Sequence, residues 1–212
     1  MRVIGLTGGI ASGKSVVSRL LADRGAVVVD ADALGHEIYT AGRPAWRELV
    51  EAFGRQIVGP DGQIDRGRLG RLVFADSAAM QRLRAIVWPL MKQEMRGRLG
   101  QLGHQGVRVV VLEAAVLVEA GWQDLVDEVW TVSVPPDVAV LRLAQRNGLS
   151  EVEARARLAA QIDNREREAH ADVVIENTGS LEDLEVRVDA RWQQFLQRVA
   201  GAGVAATDAQ RV

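Results

Sequence analysis

Eight residues near the start, Gly8-Gly9-Ile10-Ala11-Ser12-Gly13-Lys14-Ser15, constrain this chain more than any other stretch. They fit the pattern Gly-x4-Gly-Lys-Ser/Thr. The apolar run Val3, Ile4, Leu6 precedes them, and an amphipathic stretch with Val16, Val17, Leu20 and Leu21 follows and stops at Gly25. A strand, a glycine-rich turn and a helix in that order make a phosphate-binding loop. The glycines let phosphate oxygens approach the backbone, and the free N–H groups at the positive end of the helix face the anion. Gly9, Ile10, Ala11, Ser12, Gly13, Lys14, Ser15 and Val16 are the expected nucleotide-phosphate contacts. Lys14 reaches the β- and γ-phosphates, and the Ser15 hydroxyl is placed to ligate the Mg²⁺ that accompanies ATP.

The chain has 212 residues, of which 48% are hydrophobic, enough for one core with an inserted lobe. It has no cysteine, so disulfides and thiolate metal sites are excluded. No apolar run approaches the ~20 residues of a membrane span, so no membrane partner and a cytoplasmic location are expected. A net charge of −2 gives no reason to expect nucleic acid. Of 26 basic residues only Lys14 and Lys92 are lysines; arginine forks suit phosphate oxygens, but a residue this abundant is informative only where its position supports it.

Val27-Val28-Val29 reads as a second buried strand ending at Asp30-Ala31-Asp32. Ligands of parallel α/β sheets bind beyond the carboxyl ends of strands. One of these two acids caps the next helix, and Asp32 is the candidate to accept a proton from, or orient, an attacking hydroxyl. Residues 40–106 break the alternation of strand and helix: four helical segments follow, with Asp65 and Asp76 placed to cap the second and third and Trp88-Pro89 separating the third from the fourth. That much helix exceeds a crossover and reads as an inserted lobe for the phosphoryl acceptor. Val107 to Leu112 is the clearest buried strand; it ends at Glu113, where an acid holds Mg²⁺ directly or through water.

Glu128 to Val134 is a fourth strand, closed by Pro135-Pro136. The helix after it carries Arg142 and Arg146, and a capping box at Ser150–Glu153 starts a helical segment bearing Arg155, Arg157, Arg165 and Arg167. An arginine-rich helical hairpin there suits a lid that excludes water and brings guanidinium groups to phosphate; a solvated face of alternating charge reads equally well. Val173-Val174-Ile175 is a fifth strand, and the turn Asn177-Thr178-Gly179 is either an ordinary turn or a contact for adenine. The expected fold is α/β, a five-stranded parallel sheet flanked by helices. Its core is 1–39, 107–141 and 171–200, its helical insertion about 40–106, its lid about 142–170 and its frayed tail 201–212.

The ordered set of motifs resembles the dephospho-coenzyme A kinase family along nearly the whole chain. The resemblance rests on Leu6 to Ser15, Val29 to Asp32, Asp61 to Arg66, Leu117-Val118-Glu119, Arg146 to Ser150 and Ala171 to Gly179. It implies transfer of the γ-phosphoryl group of ATP to the ribose 3′-hydroxyl of 3′-dephospho-coenzyme A, the last step of coenzyme A synthesis. It implies that Ala11 to Val16 bind the ATP phosphates and that Asp32, Arg142 and Arg146 are catalytic, beside the catalytic Lys14 and the metal contacts Ser15 and Glu113 read above, and it puts Asn177 and Gly179 near adenine. Trp88 and Ala115 stand where many bacterial members carry His and Pro, and these stretches resemble instead the kinase domain of the bifunctional coenzyme A synthase of animals. Another small P-loop kinase, for nucleotides or sugars, and a nucleotide-dependent switch are the alternatives.

Overall fold

The computed structural model describes the backbone of residues 1–208 and their side chains except those of residues 36 and 202–208. The chain divides into two compact units: Met1–Val29 with the chain from Gly106 onward, and Asp30–Gln105.

The first unit holds a five-stranded sheet of order β2-β3-β1-β4-β5. Its strands are β1 (Arg2–Gly8), β2 (Val27–Asp30), β3 (Val109–Glu113), β4 (Glu128–Ser133) and β5 (Val173–Glu176). Leu6 pairs with Glu113 on one side and Trp130 on the other, and β1 with β3, β1 with β4 and β4 with β5 all run parallel. The apolar runs explain the order. All five residues of β3 are buried, and so is β1 after Arg2, as befits strands covered on both faces.

On one side α1 (Lys14–Asp23) and the last helix pack over the sheet. Val17 and Leu21 of α1 meet Ile4, Leu6, Val111 and Trp130 in one cluster. The Trp130 ring meets Phe195 edge-on at 6.0 Å, and Trp192 stacks on Phe195 at 5.7 Å. Trp130 donates its ring N–H to Glu128, so its one polar atom is satisfied.

The second unit contains α2 (Ala31–Glu37), α3 (Pro44–Phe53), α4 (Arg66–Ala75) and α5 (Ser77–His104). It begins at Asp30, so α2 falls with the helices of the insertion rather than with the core, where the sequence reading put residues up to 39. Asp65 and Asp76 cap α4 and α5 as their positions suggest. Trp88-Pro89 does not interrupt: α5 is continuous over 28 residues. Pro89 lacks the N–H that would bond the carbonyl four residues back, but Val87, Met91, Met95 and Leu99 are all buried, and that packing outweighs one missing bond. The Arg84 guanidinium lies over the Trp88 ring, 5.2 Å from its centroid.

Back in the first unit, α6 (Pro136–Asn147) ends at Gly148, and α7 (Glu151–Ala159) and α8 (Asn164–Ala169) follow. The segment read from the sequence as a lid is two helices: Ser150 and Glu153 form the expected capping box of α7, and Asp163 caps α8. α9 (Leu181–Asp208) runs on into the stretch read as a tail; residues 209–212 lie outside the described residues. Among the described residues no helix is long and apolar enough to cross a membrane.

Candidate active site

The phosphate loop leaves β1 at Gly8 and enters α1 at Lys14. Ala11 has φ 59°, the single positive φ outside glycine among the described residues, and Gly13 has φ 94°. Such backbone is what curls successive N–H groups toward one point. At Gly8 a Cβ would lie 2.6 Å from Ser12 Oγ and 2.8 Å from the Val132 carbonyl, so the turn admits only glycine there. Ser12 Oγ itself is buried without a hydrogen-bond partner among the described residues.

Three of the expected residues converge at the helix start. The Lys14 ammonium lies 3.0 Å from Glu113 Oε1, and the Ser15 hydroxyl donates to the same oxygen at 3.2 Å. The register of β1 with β3 brings this about: Glu113 is the partner of Leu6, two residues before the loop. Glu113 is 8% exposed, so its charge is held in place rather than solvated.

Asn177, at the end of β5, is 7% exposed and reaches the loop as well. Its amide donates to the Ser12 carbonyl at 2.7 Å, and its Oδ1 accepts a long contact, 3.5 Å, from the Arg142 guanidinium of α6. The sequence offered Asn177 as an adenine contact or a turn residue; here its side chain braces the loop. Gly179 sits at the start of α9, closed by reciprocal bonds between Ser180 and Asp183. Arg146 is not drawn to the loop: it is exposed, and its Nε donates to Asn147 Oδ1 at 3.0 Å.

Asp30 and Asp32 separate in function. The Asp30 carboxylate accepts from the N–H groups of Asp32 and Ala33 at 2.8 and 3.0 Å and so caps α2. Asp32 is exposed in the first turn of that helix.

The family model for dephospho-CoA kinase matches residues 2–183. The chain belongs to the dephospho-CoA kinase family. It is 51% identical to a dephospho-CoA kinase of Geobacter sulfurreducens, over 91% of this chain and 98% of that one. Among solved structures it is similar to a Thermus thermophilus protein, TT1252, with 37% identity and a TM-score of 0.76 over 91% of this chain and 97% of that one. It is also similar to the dephospho-CoA kinase from Campylobacter jejuni, with 26% identity and a TM-score of 0.70 over 92% and 98%.

In this dephospho-CoA kinase family member a second group of residues lies near the loop: Gln161 and Asn164, which the sequence did not single out, and Arg167, one of the four arginines named there. Gln161 accepts the Ile10 N–H at 2.8 Å. Asn164 donates to the Val134 carbonyl at 2.7 Å, and Arg167 of α8 is 1% exposed beside Glu119. Arg165 and Arg167 look alike in sequence; burial separates them, and no local pattern announces it.

Proposed function

We propose that the chain transfers the γ-phosphoryl group of ATP to the ribose 3′-hydroxyl of 3′-dephospho-coenzyme A, giving coenzyme A and ADP. The observation that carries this is the convergence of Lys14 and Ser15 on Glu113 at a phosphate loop, in a chain of this family. Transfer is direct and in line, so the protein's part is positioning and charge. The loop from Gly9 to Val16 wraps the phosphates, and Lys14 turns from Glu113 to the β- and γ-oxygens. Arg142 and Arg146 add guanidinium charge from the lid, with Arg146 leaving Asn147 to do so. Asp32 orients the acceptor hydroxyl or takes its proton. Asn177 and Gly179 border the adenine.

The donors suit Mg²⁺: a hydroxyl and a carboxylate oxygen 3.2 Å apart are hard oxygen ligands. Ser15 and Glu113 would hold it. No cluster of three or more His, Cys, Asp or Glu able to hold a metal occurs among the described residues, which suits an ion that keeps waters and takes phosphate oxygens. Bound there, Mg²⁺ supplies positive charge to the β- and γ-phosphates.

The test is ADP release with ATP, Mg²⁺ and 3′-dephospho-coenzyme A, beside AMP, CMP and gluconate. Release with dephospho-coenzyme A alone, with a product one phosphate heavier, is the expected result. Turnover of another acceptor in its place would overturn the assignment of substrate.

A further inference from the structure

Arg167 is 1% exposed, and its guanidinium is poorly served where it lies. Nη2 meets Glu119 Oε1 at 3.4 Å and the Ile162 carbonyl at 3.3 Å, and Nη1 meets Asn164 Oδ1 at 3.4 Å. Hydrogen bonds of a guanidinium to a carboxylate run to about 2.7–2.9 Å, so each of these is long. Arg167 Nε and Glu119 Oε2 are buried and have no partner at all among the described residues. A buried charge so weakly held asks for an explanation, and a ligand that completes it is one.

The surroundings say which ligand. Nη1 lies 3.4 Å from where a Cβ on Gly9 would sit, and Gln161, one turn before α8, already bonds the Ile10 N–H. Gly9 and Ile10 open the loop at the end away from Lys14. A cavity of about 410 Å³ lies over the same residues, bounded by Gly9, Ile10, Gln161, Asn164 and Arg167 and walled on the other side by apolar residues such as Val140. An anionic oxygen lying over Gly9 would meet Nη1 of a guanidinium that is itself shielded from water, where a guanidinium acts on charge most strongly.

We propose that Arg167 is a further catalytic residue: its guanidinium meets the transferring phosphoryl group, and Glu119 holds it at Gly9 until the nucleotide arrives. This rests on the reading under Proposed function. In that step the bond from the γ-phosphorus to the β–γ bridging oxygen breaks as the acceptor hydroxyl oxygen bonds to phosphorus. The hydroxyl proton passes to Asp32, and ADP leaves. Arg167 gives and takes no proton; it neutralises charge on the equatorial oxygens, as an arginine supplied in cis does elsewhere.

The experiment compares Arg167→Lys, Arg167→Ala and, as control, Arg165→Gln on the exposed face of the same helix. Arg167→Lys keeps the buried charge. Its kcat is expected to fall by ~10² or more, since a cis arginine is worth about 10³–10⁵, with KM for ATP and the melting temperature little changed. Added guanidinium restores turnover to Arg167→Ala, and Arg165→Gln stays near wild type. Wild-type kcat in Arg167→Lys, or a loss of melting temperature and ATP affinity with kcat intact, overturns the proposal. If Arg167→Ala does not fold, Arg167→Lys decides alone. Wild-type silence on dephospho-coenzyme A would strike the parent reading; the ratio of variant to wild type on whichever acceptor is turned over still judges Arg167.

Discussion

The side-chain amide of Asn177 donates to the backbone carbonyl of Ser12 across 165 residues of sequence. The far end of the sheet thus fixes the shape of the phosphate loop. Removing the amide leaves a buried carbonyl unpaired, which costs about 1–3 kcal/mol. Asn177→Ala is expected to lower the melting temperature modestly and to raise KM for ATP at least tenfold. An unchanged ATP isotherm in a calorimeter would show that the loop keeps its shape without the brace.

Gly13 depends on the same contact. Its φ of 94° strains any side chain, and the Asn177 amide occupies the place a Cβ would take. Gly13→Ala should lose about 1–3 kcal/mol from backbone strain alone. It should also displace Asn177, so ATP binding falls further than in Asn177→Ala. Denaturant titration and ATP binding on the two variants give the order.

Glu113 carries both Lys14 and Ser15 on one oxygen. Glu113→Gln keeps the shape and removes the charge. The Mg²⁺ concentration for half-maximal turnover is expected to rise about tenfold or more, the scale seen when groups that orient a metal's ligands are changed. A Mg²⁺ titration at fixed ATP that matches wild type would remove Glu113 from the metal's surroundings.

Asp189 of α9 accepts from Arg24, just after α1, and that hydrogen bond holds its carboxyl below the usual aspartate range. The folded pKa is depressed, so the stabilisation is present above the unfolded value of about 4 and is lost as pH falls through the folded one. Asp189 is half exposed, so the pair is worth under about 1 kcal/mol. Asp189→Asn should melt slightly below wild type at pH 7, and the gap should close as pH falls below about 4 or as salt is raised. A gap that widens in acid would contradict this.

What was legible in the sequence was local. The loop, the strand ends at Glu113 and Asp30, and the caps at Asp65, Asp76 and Ser150 each lie within one short window, where residue type and backbone geometry are tied directly. What was not legible lies across the chain. Gln161 on Ile10, Arg167 beside Gly9 and Asn177 on Ser12 depend on which strands neighbour β1, and no periodicity encodes that. Trp88-Pro89 failed for another reason: a proline rule describes backbone bonds, and the outcome depended on the apolar face that Val87 and Met91 share.

β1 lies in the middle of the sheet, yet it is made before both its partners, residues 109–113 and 128–132. During synthesis at about 5–20 residues per second, roughly 6–25 seconds pass before β4 exists. Asp30–Gln105 is complete within that interval, while β1 still shows two unpaired edges of apolar strand. An exposed edge of that kind is a template for wrong pairing between nascent chains. The central position that seats the phosphate loop in the finished molecule therefore leaves Arg2–Gly8 open to wrong pairing in the unfinished one.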